Sequence, residues 1–182
     1  MGETMQRSAV FSPDGRYRYR LDRSWGPGKR ALWCCLNPST AGAEVDDPSV
    51  RKMIGFTKRW CMPKTVPGDF GSLVVVNMWG RKGTDWRVLL EPDPSGEDNW
   101  MHIREALIES HFVIAAWGAH APHVPGFRAY KDNVMNNLLC TGLPVWCLGT
   151  SVTGQPRHPL MLPYSAELRP YALPHHPKDP TE

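Results

Sequence analysis

The chain has 182 residues, of which 41% are hydrophobic and 21% are charged, and its formal net charge is +3. This length suits one globular domain with its own core and is short for two. The small basic excess permits an anionic ligand but is weaker than that of a dedicated duplex-DNA binder.

Residues 8–22 predict a β-hairpin. A turn signal at Ser12–Gly15 precedes a stretch that alternates with period two and ends at Leu21. The alternation predicts three arginines on one face and three bulky residues on the other: Arg16, Arg18 and Arg20 against Tyr17, Tyr19 and Leu21. Two interpretations of the basic face stay open. It is the solvated face of an edge hairpin, or it contacts phosphate groups.

Four short apolar runs predict buried strands, at residues 31–36, 73–77, 112–117 and 145–148. Helical spacing between these runs predicts helices at residues 48–61, 97–110 and 126–141. A shorter helix, capped by Thr84 or Asp85, is predicted to end at Leu90. We expect Asp47 to cap the first helix, with Pro48 at its first position.

This order of elements predicts a single α/β domain over residues 1–173. The domain is expected to have three layers, α/β/α, with a mainly parallel sheet of about four strands plus the N-terminal β-hairpin. Several prolines disfavour regular structure over residues 149–173. Residues 174–182 predict a disordered tail.

Cysteine usage and missing motifs narrow the function classes. Three cysteines lie in the apolar runs and two near predicted helix ends, without a C-x-x-C pair: Cys34, Cys35, Cys147, Cys61 and Cys140. We therefore expect reduced thiols, no metal and no cofactor. The chain has no G-x-G-x-x-G, Walker A or G-x-S-x-G sequence, which argues against dinucleotide, P-loop and esterase sites. No apolar run approaches the roughly 20 residues of a membrane span, and no signal-peptide core is present, so we expect a cytoplasmic protein without membrane contact.

The first candidate site follows the first predicted strand. In open α/β sheets, ligands bind beyond the carboxyl ends of the strands. Asn37 directly follows the strand, Pro38 stiffens the exit, and Ser39 and Thr40 supply donors. A side-chain amide at this position can hold a water or contact the edge of a base, because it both donates and accepts hydrogen bonds. The alternative is a turn in which Asn37 closes the strand and the hydroxyls only cap locally.

The second candidate site follows the last predicted strand. Arg157 and His158 lie between Pro156 and Pro159, which favour an extended loop. An imidazole and a guanidinium held there are placed to meet an anionic or carbonyl-bearing ligand. The alternative is a rigid surface loop in which the histidine has no role.

Five further residues are weaker candidates. His120, after Trp-Gly, is a possible ligand contact or part of an ordinary turn. Arg81 and Lys82 contact phosphate or belong to a solvated turn. Asp46 and Asp47 resemble a pair of catalytic carboxylates, but the second is already expected as a helix cap.

Several motifs of the chain resemble a bacterial and phage family, the domain of unknown function 1643. They are L-N-P-S-T-A from Leu36, D-D-P-S-V-R from Asp46, V-V-V-N up to Asn77, A-W-G-A-H from Ala116 and G-Q-P-R-H-P-L-M-L-P from Gly154. The likeness runs from about Tyr17 to Tyr171. That resemblance implies no activity.

The order of features is also similar to the uracil-DNA glycosylase superfamily, which implies that superfamily's fold and a set of site residues. The resemblance places a water-positioning motif at Asn37 and Pro38, a base-reading amide at Asn77, a strand end at Trp117 and Gly118, and a loop contacting DNA and developing charge at His158 and Pro159. No aromatic residue follows Pro38, so Trp79 is the candidate to stack on an extruded base.

The resemblance implies cleavage of the N-glycosidic bond of a modified or damaged base, with DNA, a nucleotide or a nucleobase as the partner. Asn37 would position a water and His158 would stabilise the leaving base. Two alternatives stay open. The same site binds nucleic acid or a nucleotide without cutting it, or it belongs to an enzyme of free nucleosides and nucleotides. The sequence indicates no oligomeric state.

Overall fold

The computed structural model describes residues 4–60 and 69–171, of which 137–140 by their backbone alone. The described strands are β1 Gln6–Phe11, β2 Arg18–Ser24, β3 Lys29–Cys35, β4 Phe70–Asn77, β5 Phe112–Ala115, β6 Val145–Cys147 and β7 Arg169–Pro170. The α-helices are α1 Pro48–Arg59, α2 Asn99–Ile108 and α3 Phe127–Cys140, and the 3-10 turns are Trp86–Leu90, Ala121–His123 and Pro159–Met161. The predicted tail, 174–182, lies outside the described residues. The helices of the described ranges are too short or too polar to cross a bilayer.

The strands form one mixed sheet in the order β1-β2-β4-β3-β5-β6-β7. Its middle is parallel, because β3 pairs with β4 and β5 in the same direction and β5 likewise with β6. The α/β class is confirmed, and the four strands expected to be parallel form the middle of the sheet. Within the described residues the whole sheet is mixed and has seven strands, because β2 of the hairpin pairs antiparallel with β4 and β7 adds a further edge. At the other edge the two-residue strand β7 pairs with β6 and is too short to show a periodicity.

Helices cover both faces of the sheet and divide the core in two. The residues of α2 and α3 pack on one face, with Leu32, Val74 and Val113 from the strands. Helix α1 packs on the other face, with Trp33 and Phe112. The N-cap prediction for α1 is confirmed, since Val50 N donates to Asp47 Oδ1 at 2.8 Å and Pro48 occupies the start of the helix.

The predicted all-arginine face of the hairpin is wrong, because the pairing of β1 and β2 contains a bulge. Val10 pairs with Arg20, whereas Phe11 pairs with Arg18, so Tyr19 is an extra residue on β2. An extra residue reverses the alternation of side chains beyond it. Arg20 therefore lies on the α2 side, where it pairs with Glu109 at the end of that helix. Arg18 instead lies on the α1 side, where it is buried.

The segment after β6 is more regular than its prolines predict. Thr150 and Pro156 form an isolated bridge that closes a tight turn. Pro159 begins a 3-10 turn, and Pro170 lies in the edge strand β7. These prolines occupy bridge, first-turn and edge positions, where the missing N–H group is tolerated. The result is a defined loop that returns over the carboxyl ends of the parallel strands.

Candidate functional site

A cavity of about 890 Å³ opens at the carboxyl ends of β3, β4 and β5. Its walls come from the strand ends, the first turn of α1, the loops at 83–87 and 117–120, and the returning segment 151–162. Parallel strands all deliver their exits to the same edge of a sheet, which is why segments far apart in sequence meet here. The volume falls in the range of small-molecule sites.

Most of the expected site residues line this cavity. They are Asn37, Ser39, Thr40, Asn77, Trp117, Gly118, His120, Arg157 and His158. Pro38 and Pro159 are buried but do not line it. Trp79 does not line it either, because its ring stacks on Tyr130 with centroids 5.0 Å apart and is buried in the core.

The amide of Asn37 has a defined orientation. Its Nδ2 donates to the carbonyl oxygen of Gly83 at 2.8 Å, and Gly83 N donates back to Pro38 O at 2.8 Å. A backbone carbonyl only accepts, so the nitrogen of the amide has to face it. Asn37 Oδ1 accepts no hydrogen bond from a described residue. The cavity wall therefore offers an acceptor here.

The amide of Asn77 is oriented in the opposite sense by Arg18. Arg18 NH2 donates to Asn77 Oδ1 at 3.3 Å, and its NH1 donates to Ala41 O at 2.9 Å. A guanidinium carries only donors, so the oxygen of the amide has to face it. Asn77 Nδ2 donates to no described residue, although Asn77 is 1% exposed. At Asn77 the wall therefore offers a donor.

Arg18 is a buried cation without a carboxylate partner in an ion pair within the described ranges. Burial lowers its pKa to about 10, an effect that the charge of Asp47 partly offsets. The guanidinium is still charged at neutral pH. Cys35 also lines the cavity, but burial raises the pKa of its thiol far above the usual range, so it is not a thiolate nucleophile.

Asp47 has a second environment besides its role as the cap of α1. The side chain is 7% exposed, lines the cavity, and accepts a long hydrogen bond at Oδ2 from Ala41 N at 3.4 Å. Its neighbour Asp46 faces away, where it pairs with the fully buried Arg23 at 2.7 Å. The two carboxylates therefore do not form a pair.

His158 is held on the other side of the cavity as a neutral donor. Burial lowers the pKa of its imidazole, and the charge of Asp47 opposes that shift. Leu160 N donates to His158 Nδ1 at 3.3 Å. An Nδ1 that accepts leaves the proton on Nε2, so the neutral ring presents an Nε2–H donor.

Trp117 and Gly118 position His158 without offering polar groups themselves. Trp117 Nε1 donates to Gln155 Oε1 at 3.0 Å, and Gly118 N donates to Pro156 O at 2.9 Å. Gly118 has φ +80°, and a Cβ there would lie 3.4 Å from the Cβ of His158. The glycine thus allows both the left-handed backbone and the close approach of the loop.

The mouth of the cavity carries rings and cations. Trp86 stacks on His120 with centroids 6.0 Å apart and planes 11° apart. Arg87 lies over the same indole at 5.4 Å, and Arg157 is exposed at the rim. Met161, also at the rim, is 86% exposed. Such a combination suits bases and phosphates of a nucleic-acid strand.

Sequence reasoning missed two wall residues, Arg18 and Trp86, and gave Asp47 only as a weaker candidate. Arg18 was expected on a surface face, and only the bulge in the β1–β2 pairing brings it inside. Asp47 was recognised as a cap, but a capping pattern does not indicate what the other oxygen faces. Trp86 begins a 3-10 turn capped by Asp85, and no motif marks it as a wall residue. Within the described ranges, no group of three or more His, Cys, Asp or Glu side chains is arranged for a metal ion.

A family model described as "Protein of unknown function (DUF1643)" matches residues 18–160. The match begins at the buried Arg18 and ends just after His158, so it spans both sides of the cavity. No curated protein and no solved structure matches the chain.

Proposed function

The chain belongs to the DUF1643 family, and we propose from the geometry of its cavity that it hydrolyses the N-glycosidic bond of a modified or damaged nucleobase. One observation carries the proposal. The cavity exposes an acceptor at Asn37, a donor at Asn77 and a neutral imidazole donor at His158, each with its orientation fixed by a partner. Such groups can read the edge of a base, stabilise the departing base and hold a water.

Each group has a role that matches its chemistry. Asn77 Nδ2 donates to a carbonyl on the base, which selects the base. His158 Nε2–H donates to the negative charge that develops on the base as the bond to the sugar breaks. Asn37 Oδ1 accepts a hydrogen bond from a water and positions it to attack the sugar carbon. This division follows the superfamily to which the motifs bear a resemblance, uracil-DNA glycosylases.

A neutral histidine suits this reaction. A protonated imidazole, once it has given its proton to the base, has to be recharged, whereas a neutral donor stabilises the departing anion without a proton transfer. The burial that lowers the pKa of His158 keeps the ring neutral at pH 7. The role therefore needs no protonation step at His158.

The test uses short oligonucleotides that each carry one uracil, hypoxanthine or alkylated base, with the released base measured by mass spectrometry. We expect the wild-type protein to release at least one of these bases. Asn37→Ala and His158→Ala should each lower the single-turnover rate by about 10²- to 10³-fold, the usual cost of losing one positioned catalytic donor or orienting group. Circular dichroism checks that both variants are folded.

Arg20→Met is the matched control, because it removes an arginine of β2 that lies outside the cavity and pairs with Asp22 and Glu109 on the α2 side of the sheet. It should retain the wild-type rate. Wild-type rates in both Asn37→Ala and His158→Ala would contradict the proposed chemistry.

A second candidate is a module that binds nucleic acid without cutting it. It is favoured by the chemistry of Asn37, since an amide does not accept a proton from water, and by the rings and arginines at the mouth. Such a module predicts an affinity for single-stranded DNA that falls with salt, without any released base. An enzyme of free nucleosides would instead release base without salt-dependent affinity for DNA.

A further inference from the structure

We propose that Asp47 is a catalytic carboxylate of this cavity, which accepts the proton of the water that attacks the sugar. The inference rests on the proposed glycosidic hydrolysis and supplies what Asn37 lacks, because an amide orients a water but does not take its proton. Asp47 is otherwise explained only as the cap of α1.

The placement of Asp47 exceeds what a cap requires. A cap uses one oxygen, and Oδ1 fills that role with Val50 N at 2.8 Å. Among the described residues Oδ2 receives one long bond, from Ala41 N at 3.4 Å, and a carboxylate oxygen accepts more than one donor. Asp85 caps the 3-10 turn at the mouth as well, but its carboxylate is exposed, as expected of a residue that only caps.

Asp47 is also a buried charge without a direct ion pair within the described ranges, although burying an unpaired carboxylate is costly. The titratable groups that interact with it from the surrounding elements are Arg18 on β2, Cys35 on β3 and His158 on the returning loop. The thiol of Cys35 is neutral. Asp47 therefore lines the same cavity as a cation, Arg18, a neutral imidazole, His158, and the amide of Asn37.

The proposed step balances in atoms and charge. The bond between the sugar carbon and the base nitrogen breaks, and both electrons leave with the base, which His158 stabilises through Nε2–H. The oxygen of the water forms the new bond to the sugar carbon, and one of its protons passes to Asp47. That proton then returns through solvent to the base anion. The negative charge of Asp47 also favours the cationic sugar that precedes the attack, as carboxylates do in glycoside hydrolysis.

The decisive variant is Asp47→Asn, because asparagine caps helices about as well as aspartate and so preserves α1 while it removes the base. With the oligonucleotide that gives most product with wild-type protein, we expect a single-turnover rate about 10²- to 10³-fold lower, with unchanged affinity. Asp98→Asn, the same change at the exposed start of α2, should keep the wild-type rate.

A second measurement separates this inference from the proposed function. Because Asp47 opposes the lowering of the pKa of His158, an NMR titration of its ring in Asp47→Asn should give a lower pKa than in wild-type protein. If wild-type protein releases a base and Asp47→Asn is within threefold of its rate, the inference is wrong and the proposed function stands. If wild-type protein releases no base from any oligonucleotide, the proposed function fails and the inference fails with it.

Discussion

The floor of the cavity and its mouth are built by different means. We use floor for Arg18, Asn37, Asp47 and Asn77, and mouth for Trp86, Arg87, His120, Arg157 and Met161. The floor groups are buried or half-buried. Partners from distant parts of the chain orient Arg18, Asn77 and Asn37, whereas Asp47 is held by Ala41 and Val50 of its own loop and helix. The mouth groups are mostly exposed. Arg87 pairs with its near neighbour Asp85 at 2.7 Å, and Trp86 and His120 stack on each other.

This difference determines where selectivity resides. A ligand group that mismatches the floor leaves a buried donor or acceptor unpaired, which costs about 1–3 kcal/mol, whereas water replaces a lost contact at the mouth. The floor is therefore suited to recognise the reacting part of a ligand. The mouth is suited to contact the part of the ligand that is attached to the reacting part. The predictions below test this contrast.

The largest expected effect comes from removing the support of the floor. The loop between β3 and α1, which carries Asp47, is fixed by Arg23: its Nε donates to Asp46 Oδ1 at 2.7 Å and its NH2 to Gly42 O at 2.6 Å. Asp46→Ala leaves a fully buried guanidinium without its carboxylate, so we expect the free energy of unfolding to fall by about 3–5 kcal/mol. Denaturant unfolding monitored by tryptophan fluorescence measures it.

The control for this prediction is Asp22→Ala, which breaks ion pairs of the surface network formed by Arg20, Arg30 and Glu109. A smaller loss is expected there, since Arg20 and Arg30 both keep Glu109 as a carboxylate partner after the change. Equal losses in the two variants would show that Arg23 does not depend on its partner, and that the floor is not specially supported.

The next effect is a change of ligand preference at the floor. Asn77→Asp replaces the donor that faces the cavity by an oxygen, while the other oxygen stays opposite Arg18. The wild-type protein is expected to prefer a base with a carbonyl at that position, and the variant a base with an amino group. The cost of one mismatched buried hydrogen bond predicts that each protein binds its preferred base about 10- to 100-fold more tightly than the other base.

Isothermal titration with uracil and cytosine measures this preference, and Arg18→Met tests the cause. Without the guanidinium the amide of Asn77 is free to turn over, so that variant should bind both bases alike. Arg20→Met should keep the wild-type preference. A preference that is unchanged in Asn77→Asp would show that Asn77 does not contact the base.

The elements of this fold were predictable from the sequence, and so was the convergence of the strand exits. Apolar runs and helical spacing locate β3, β4, β5, β6 and all three α-helices, because burial on a sheet or helix face leaves a periodic pattern. The parallel direction of those strands then places Asn37, Asn77 and His158 around one cavity. Each of these inferences uses only local pattern and topology.

The chemistry of the floor was not predictable in the same way. Arg18 enters the cavity because one extra residue in β2 reverses the alternation, and nothing in the stretch of alternating arginines and tyrosines marks that position. Trp79 was expected at the ligand, but a ring after a strand is equally suited to the core, where Tyr130 stacks on it. Trp86 lines the cavity only because its loop folds back toward β5 and His120.

A smaller effect is expected at the mouth. Trp86→Ala removes the ring that stacks on His120, and we expect binding of a single-stranded oligonucleotide to weaken by about 1 kcal/mol, roughly fivefold. The affinity for free uracil should not change, because the mouth contacts what is attached to the base. Fluorescence anisotropy at fixed salt measures the affinity for the oligonucleotide, and calorimetry measures the affinity for free uracil. Equal weakening of both ligands would contradict the division between floor and mouth.

The smallest effect concerns the acid sensitivity that His158 adds at the boundary between the two regions. Burial lowers the pKa of the folded imidazole, while the unfolded chain titrates near about 6.5. As pH falls through that value, the unfolded chain binds a proton that the folded chain does not, so stability decreases until the lower folded pKa is reached and is constant below it. In His158→Gln this contribution is absent, so the variant should lose less stability than wild-type protein between pH 7.5 and 5.5. The remaining histidines are common to both proteins and cancel in the difference between denaturant curves. Parallel losses would mean that His158 is as hydrated in the folded protein as in the unfolded chain, and its proposed role as a neutral donor would lose its physical basis.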